Sequence, residues 1–195
     1  MRNITNEFSA DNPVEGSGKM LKTLSVDNFK SLCDFKIEFG NLNVLIGSNS
    51  AGKSTVLHAI DLLPYLAQGN LKDYLESRNW EVSELKSKLL PSKKNITFSA
   101  LFELDNQDLE WSFTLIPRKE DEALVCTKEK VILRYDEQKA TNTSSARSII
   151  HNGKILLNRE GEKIQWYDAT TNRREDFPPI QLNTSVLSLI NVHDM

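Results

Sequence analysis

The chain has 195 residues, with 24 lysines and arginines against 27 aspartates and glutamates, a net charge of −3. That length fits one large domain or two small ones around an ordinary core. The near balance of charge gives no general reason to bind nucleic acid or an anionic membrane, and 39% hydrophobic with 26% charged residues excludes a mostly disordered chain. Cys33 and Cys126 stand far apart, without a CxxC or a histidine pair. They fit neither a disulfide framework nor a zinc site and read as buried, reduced thiols. No signal-peptide pattern opens the chain, and no run is apolar over the ~20 residues a bilayer requires, so a soluble, cytoplasmic protein is expected.

In chain order, residues 1–19 are polar, carry Pro13, Gly16 and Gly18, and read as a flexible tail. Residues 20–66 read as the first part of a P-loop core. Leu21, Leu24 and Val26 alternate as in a strand, and Phe35, Ile37 and Phe39 share one face of a second. Gly40 and Asn41 make a turn. LNVLI, residues 42–46, is nearly all apolar, the pattern of a strand buried on both faces of a sheet. From Lys53 the period becomes helical: Val56, Leu57, Ile60 and Leu63 make one stripe, and Pro64 marks its end.

Residues 67–94 form a helical segment, in which Leu71, Tyr74, Leu75, Trp80, Leu85 and Leu89 are the apolar side of a second helix. Residues 95–180 read as an antiparallel β subdomain. NITFSALFEL and LEWSFTLI make a hairpin, and ALVCTKEKVILRY a long strand or strand pair. SIIHNGKILLNREGEKIQWYD is a hairpin turning at His151-Asn152-Gly153, and 173–179 is charged loop. Residues 181–195 begin a further helix capped by Asn183 or Thr184, in a domain that reads as incomplete. The fold class expected is α/β: a P-loop NTPase with a mixed sheet around residues 42–46 and an antiparallel β-rich subdomain.

One motif decides the chemistry. Gly47-Ser48-Asn49-Ser50-Ala51-Gly52-Lys53-Ser54 is a complete G-x-x-x-x-G-K-[ST], placed between an apolar run and an amphipathic helical pattern. Gly47 and Gly52 allow backbone conformations that a side chain would block. Backbone N–H groups from about Ser50 to Thr55 converge on a β-phosphate at a helix N-terminus. Lys53 reaches the β- and γ-phosphates as a point charge, and the Ser54 hydroxyl is the expected Mg²⁺ ligand. The ligands implied are ATP and Mg²⁺. Gly16-Ser17-Gly18-Lys19 looks similar but lacks the first glycine, the hydroxyl and the preceding strand.

VDNFKSL, then NVLIGSNSAGKSTVLHAID, resembles the start of ABC-type ATPases of the RecF, SMC and OLD-like group, often named AAA-family ATPases of the AAA_21 or AAA_15 kind. Asn28, Phe29, Lys30 and Ser31 match that group's NF-[KR]-S element, and Gly47, Asn49, Gly52, Lys53 and Ser54 match its P-loop. The close likeness covers residues 20–66. It implies an ATP-driven head that closes as a homodimer over two nucleotides, with DNA or a nuclease as partner, in tasks such as DNA repair or antiphage defence. It puts the NFKS segment near the nucleotide, where Lys30 touches phosphate or adenine or is simply a strand-end lysine. The family's Q-loop glutamine corresponds to Gln181 or Gln181 is a plain loop residue.

The apolar run ending in Asp-Glu that would supply a catalytic carboxylate is missing: Phe102-Glu103-Leu104-Asp105 alternates, and Ile190-Asn191-Val192-His193-Asp194 is interrupted. No LSxG-like signature appears either. The chain therefore reads as the N-terminal portion of a longer ATPase, with poor hydrolysis by itself. The alternative from another class is a non-hydrolysing module in which nucleotide organises a partner surface. A GTPase is disfavoured because Thr127-Lys128-Glu129-Lys130 fails the guanine-binding N/T-K-x-D pattern, and a small-molecule kinase is disfavoured by the NFKS strand and the long β layer. The basic run Lys86, Lys88, Lys93 and Lys94 reads as a solvated helix end or a nucleic-acid contact. Trp80, Trp111 and Trp166 read as packing residues, and His58 and His151 have no partners at metal-ligand spacing.

Overall fold

The computed structural model describes residues 20–104, 107–135, 154–168, 173–177 and 184–189. The tail 1–19 with its Gly16–Lys19 sequence, the His151-Asn152-Gly153 turn, Gln181, Asn183 and 190–195 lie outside the described residues. Eight strands form one sheet in the order β2-β1-β3-β4-β5-β6-β7-β8. They are β1 (Met20–Asp27), β2 (Phe35–Glu38), β3 (Ile96–Leu104), β4 (Gln107–Arg118), β5 (Ala123–Tyr135), β6 (Lys154–Glu160), β7 (Lys163–Asp168) and β8 (Arg173–Asp176). Helix α1 (Lys53–Ala67) leaves the glycine-rich loop, and α2 (Leu71–Glu76) follows it.

Alternation explains the sheet. In β3, Ile96, Phe98 and Ala100 are buried while Thr97 and Ser99 are half-buried; in β4, Trp111, Phe113 and Leu115 are buried. The register sets like against like, Phe98 opposite Phe113 and Ala100 opposite Trp111. The Phe98 and Phe113 rings stack at 5.0 Å, and Phe29 meets Phe98 edge-on at 5.4 Å. Helix α1 adds Val56, Ala59, Leu62, Leu63 and Leu66 to the same core. Each large side chain buried there is worth ~1.5–3 kcal/mol.

Every strand pair is antiparallel, so the mixed sheet expected around residues 42–46 is not what forms. Residues 42–46 have no regular structure, and Leu42, Val44 and Ile46 are 85%, 70% and 90% exposed. An apolar run becomes a buried strand only when neighbours hydrogen-bond to it on both sides, and no described strand pairs with this one.

Other boundaries moved for local reasons. Pro64 does not end α1 but lies inside it. It gives up one N–H bond in the last turn, the burial of Leu62, Leu63 and Leu66 offsets that loss, and the chain leaves the helix at Gly69, φ 79°. The long second helix stops after six residues. Asn79 turns left-handed at φ 51°, and a 3₁₀ turn (Val82–Leu85) follows, closed by a reciprocal Glu81–Glu84 capping box. Residues 173–176 are an edge strand of four exposed charged residues rather than a loop, paired to β7, where Gln165 Nε2 donates to Asp176 Oδ1 at 2.9 Å. Where a further helix is expected to begin within 181–195, the described residues hold a 3₁₀ turn (Val186–Leu189), and Ser185 starts it by accepting from the Leu187 N–H at 3.0 Å.

Thr127-Lys128-Glu129-Lys130 lies within β5. Glu129 is 1% exposed and is held by the Trp111 Nε1–H at 2.9 Å, the Val186 N–H at 2.7 Å and the Ser185 hydroxyl. Arg159, 3% exposed, donates to the carbonyls of Gly161 and Thr184. This polar cluster straps residues 184–189 onto the sheet. Gly69 receives the other side of the strap, since a Cβ there would lie 3.0 Å from the Ser188 Cβ.

Candidate functional site

The loop after residues 42–46 bends where its sequence permits. Ser50 has φ 66° and Gly52 φ 91°, both left-handed. A Cβ on Gly52 would lie 3.0 Å from Ser31 Oγ, and one on Gly47 would lie 3.3 Å from the Ala51 Cβ. Glycine at 52 is thus required twice, by conformation and by close approach. Gly52 is also the N-cap of α1, with no side-chain cap and no acidic residue in the first turn. The N–H groups that open the helix are therefore left for another acceptor, at its positive end.

Lys53 folds back onto this loop. Its ammonium donates to the carbonyl oxygens of Gly47 at 2.8 Å and Ser48 at 2.6 Å. These are bonds a mobile cation can exchange for an anion brought into the bend. Ser31 Oγ donates to Thr55 Oγ1 at 3.0 Å, tying the NFKS segment to the first turn of α1.

Asn49, Ser50, Gly52, Lys53, Ser54 and Thr55 line one side of a cavity of about 830 Å³; Lys30 and Ser31 line it from the NFKS segment, and Glu84, Lys86, Lys88 and Leu89 complete it. The volume lies in the range of nucleotide-sized pockets. Four lysines face one glutamate there, so the cavity favours an anion. Ala51 instead lines an adjoining groove of about 330 Å³ with Cys33, Leu45 and Ile46. A cavity of about 840 Å³ lies at the far sheet edge, but Glu160, Glu162 and Asp176 outnumber Lys163 in its lining. It has no glycine-rich loop and repels phosphate.

Lys30 sits at φ 49° with its N–H bonded to the Leu85 carbonyl at 2.8 Å and its ammonium 3.4 Å from the centre of the Trp80 ring. Burial, with the Lys88 charge adding to it against Glu84, moves its pKa below the usual lysine value. The edge of His58 meets Trp80 at 4.8 Å. Trp80 packs, as its pattern suggests, although its packing partners are cations and aromatic edges. Trp111 is buried and Trp166 packs against the core.

Asn28 is fully buried at φ 63°, and its amide donates to the carbonyls of Lys93 at 3.1 Å and Asn95 at 2.9 Å. It is a staple, and nothing local in the sequence identified it as one. The basic run is not one patch. Lys93 pairs with Asp27, Lys86 Nζ donates to the Pro91 carbonyl at 2.8 Å, and Lys88 lines the cavity. Asp27 titrates low: burial would raise its pKa, but the Lys93 hydrogen bond and charge and the Asp34 and Asn28 N–H groups more than offset that. Of the cysteines, Cys126 is buried and pushed up to about 12, chiefly by burial. Cys33 is only half-buried, beside the Ser87 hydroxyl at 3.3 Å, because it lies in the turn leading to edge strand β2. Among the described residues no cluster of three metal-ligating side chains occurs, and no helix is long and apolar enough to cross a membrane.

The family model of the AAA ATPase domain matches residues 20–178. An OLD nuclease of Thermus scotoductus is 50% identical over 44 residues, 23% of this chain and 8% of that protein. The DNA replication and repair protein RecF of Lactococcus lactis is 32% identical over 78 residues, 40% of this chain and 22% of RecF. The matched region thus spans a small part of the length of either relative. The family match runs from the first strand through the P-loop and on across the sheet, well over half of the sequence, and the chain belongs to the AAA ATPase domain family.

Proposed function

We propose that this chain binds Mg·ATP in the cavity lined by the glycine-rich loop. The observation that carries the reading is the Lys53 ammonium held on the Gly47 and Ser48 carbonyls, at an uncapped helix start where a Cβ on Gly52 would collide with Ser31. In this reading, the N–H groups of residues 50–55 receive the phosphate oxygens and Lys53 exchanges its two carbonyls for phosphate. The exposed Ser54 hydroxyl is the Mg²⁺ ligand; bound Mg²⁺ would neutralise phosphate charge. Lys30 contributes a further cation from the NFKS segment. Gly47, Ser48, Asn49, Ala51 and Thr55 shape the bend, and Gln181 is kept as a candidate contact.

ATP hydrolysis is proposed as an activity of the head in its complete form, with the homodimer and a DNA-linked, cytoplasmic role that the family resemblance and the names of the two relatives suggest. The reading in which nucleotide only organises a surface has one observation in its favour. The carboxylate among the described lining residues is Glu84, and it already accepts from the Glu81 N–H at 2.9 Å. A titration with Mg·ATP, paired with a phosphate-release assay, tests both readings. Binding is expected and Lys53→Ala weakens it about 100-fold, the loss of two charge-assisted bonds. Equal affinity of the two proteins refutes the site. Slow turnover at the Lys53→Ala background is expected of this chain, and rapid turnover that Lys53→Ala abolishes would refute that part.

A further inference from the structure

The wall of the cavity opposite in sequence to the P-loop is fixed, although it has little regular structure. Ser87, 1% exposed, donates its N–H to the Asn28 carbonyl at 3.1 Å, and its hydroxyl accepts from the Leu89 N–H at 3.2 Å. Lys30 N–H holds the Leu85 carbonyl from the other side, and Val82 and Leu85 are buried. These staples bind residues 82–95 to the same NFKS segment that Ser31 ties to α1. The cavity is therefore bounded on both sides by backbone that is locked together.

That wall presents Lys88. On the same wall Lys86 donates to the Pro91 carbonyl and, further along the run, Lys93 pairs with Asp27, whereas Lys88 is exposed and has no hydrogen bond or ion pair to give up among the described residues. Lys88 and Lys30 line the same cavity from different segments, two like charges that an anion bound there would neutralise. We infer that Lys88 is a phosphate-binding residue of the nucleotide site, reaching the ligand from outside the P-loop on a wall pinned by Asn28 and Ser87. The inference rests on the nucleotide reading of the cavity proposed above.

The test is calorimetric titration of the full chain with Mg·ATP at fixed ionic strength, comparing wild type, Lys88→Glu, Lys88→Arg and Lys94→Glu. Lys94 is exposed, lies outside the cavity lining and carries the same change of charge. Expected are an affinity about tenfold lower for Lys88→Glu, near wild type for Lys88→Arg, and within about twofold of wild type for Lys94→Glu. Equal effects of the two glutamate variants would overturn the inference and leave the P-loop reading standing. So would unchanged ATP affinity with loss of single-stranded DNA binding in Lys88→Glu, which would give Lys88 to a nucleic acid. Absence of any Mg·ATP binding by the wild type would overturn the site itself, and Lys88 with it. All four proteins should melt together, because residue 88 is exposed and its backbone is held through residues 87 and 89.

Discussion

The cluster around Glu129 on β5 and the loop that opens α1 treat their polar groups in opposite ways. Around Glu129, every carboxylate bond lies inside the protein: Trp111, Ser185 and Val186 close on one buried charge, and Arg159 closes on two carbonyls nearby. Around Gly52, the helix start is uncapped, two residues are left-handed, Lys53 is parked on carbonyls and apolar residues 42–46 are exposed. The first region has its carboxylate fully bonded inside the protein, and its role is to hold residues 184–189 and, through Ser188, the turn after α1. The second holds donors in reserve, the condition for binding an anion without first breaking strong internal bonds. Stability and ligand readiness thus occupy different parts of the molecule, the sheet interior and the loop before α1.

The sharpest way to break that division is to remove the buried carboxylate. Glu129→Ala leaves the Trp111, Ser185 and Val186 donors without an acceptor in a closed environment, and should cost ~3–5 kcal/mol. Urea unfolding is expected to show a lower midpoint at an unchanged slope, with Glu129→Gln milder because one carbonyl oxygen remains. Hydrogen exchange should accelerate at the Val186 amide. Mg·ATP affinity should hold at temperatures where the variant is folded. A large loss of affinity in folded Glu129→Ala would show that the two regions are one.

A paired glycine experiment has a smaller effect and separates conformation from contact. Gly52 and Gly161 both have positive φ, 91° and 62°, but a Cβ at 161 meets nothing within 4 Å, whereas at 52 it meets Ser31 Oγ. Each alanine substitution should cost about 1–2 kcal/mol of stability from its backbone alone. Only Gly52→Ala should also abolish nucleotide binding, because it disturbs the Ser31–Thr55 bond as well as the cradle. Equal nucleotide affinity in both variants would remove the cradle from the account.

How far these regions can be read from sequence differs for the same reason. The glycine-rich loop is local: eight consecutive residues specify its bend, its cation and its hydroxyl, and the structure keeps them together. Strands β3 and β4 are legible because alternation survives along their length. The Glu129 cluster is not, since its partner Ser185 lies 56 residues away and nothing in a TKEK stretch within a long strand marks its glutamate as buried. Residues 42–46 show the converse error, in which an apolar run reports what a sequence can bury and not whether strands are present to bury it. Charged β8 misled because an edge strand has no need of an apolar face, and charges there protect it from pairing with other chains. Residues 82–89 read as the end of a helix; their role as a cavity wall depends on Asn28, whose left-handed turn and amide staples leave no periodic signal.

The smallest expected effect lies between the two regions, at His58 on α1. Burial comes first and the positive charges of Arg78 and Lys30 second in moving its pKa below the ordinary 6.5. The folded state therefore binds its proton less readily than the unfolded state, so stability rises with pH across this window. The contribution is complete above pH 6.5 and falls away as the pH drops from there through the folded value. Thermal melting of wild type and His58→Phe between pH 7.5 and pH 5 isolates it, because phenylalanine keeps an aromatic edge against Trp80 without a proton to gain. The wild type should lose more than the variant on acidification, by no more than about 2 °C, since His58 is only partly buried and solvent screens both cations. Parallel pH profiles would mean that the ring is more solvated, and Arg78 and Lys30 further from it, in solution. The Lys30–Trp80 contact that borders the nucleotide cavity would then be looser than its 3.4 Å separation implies.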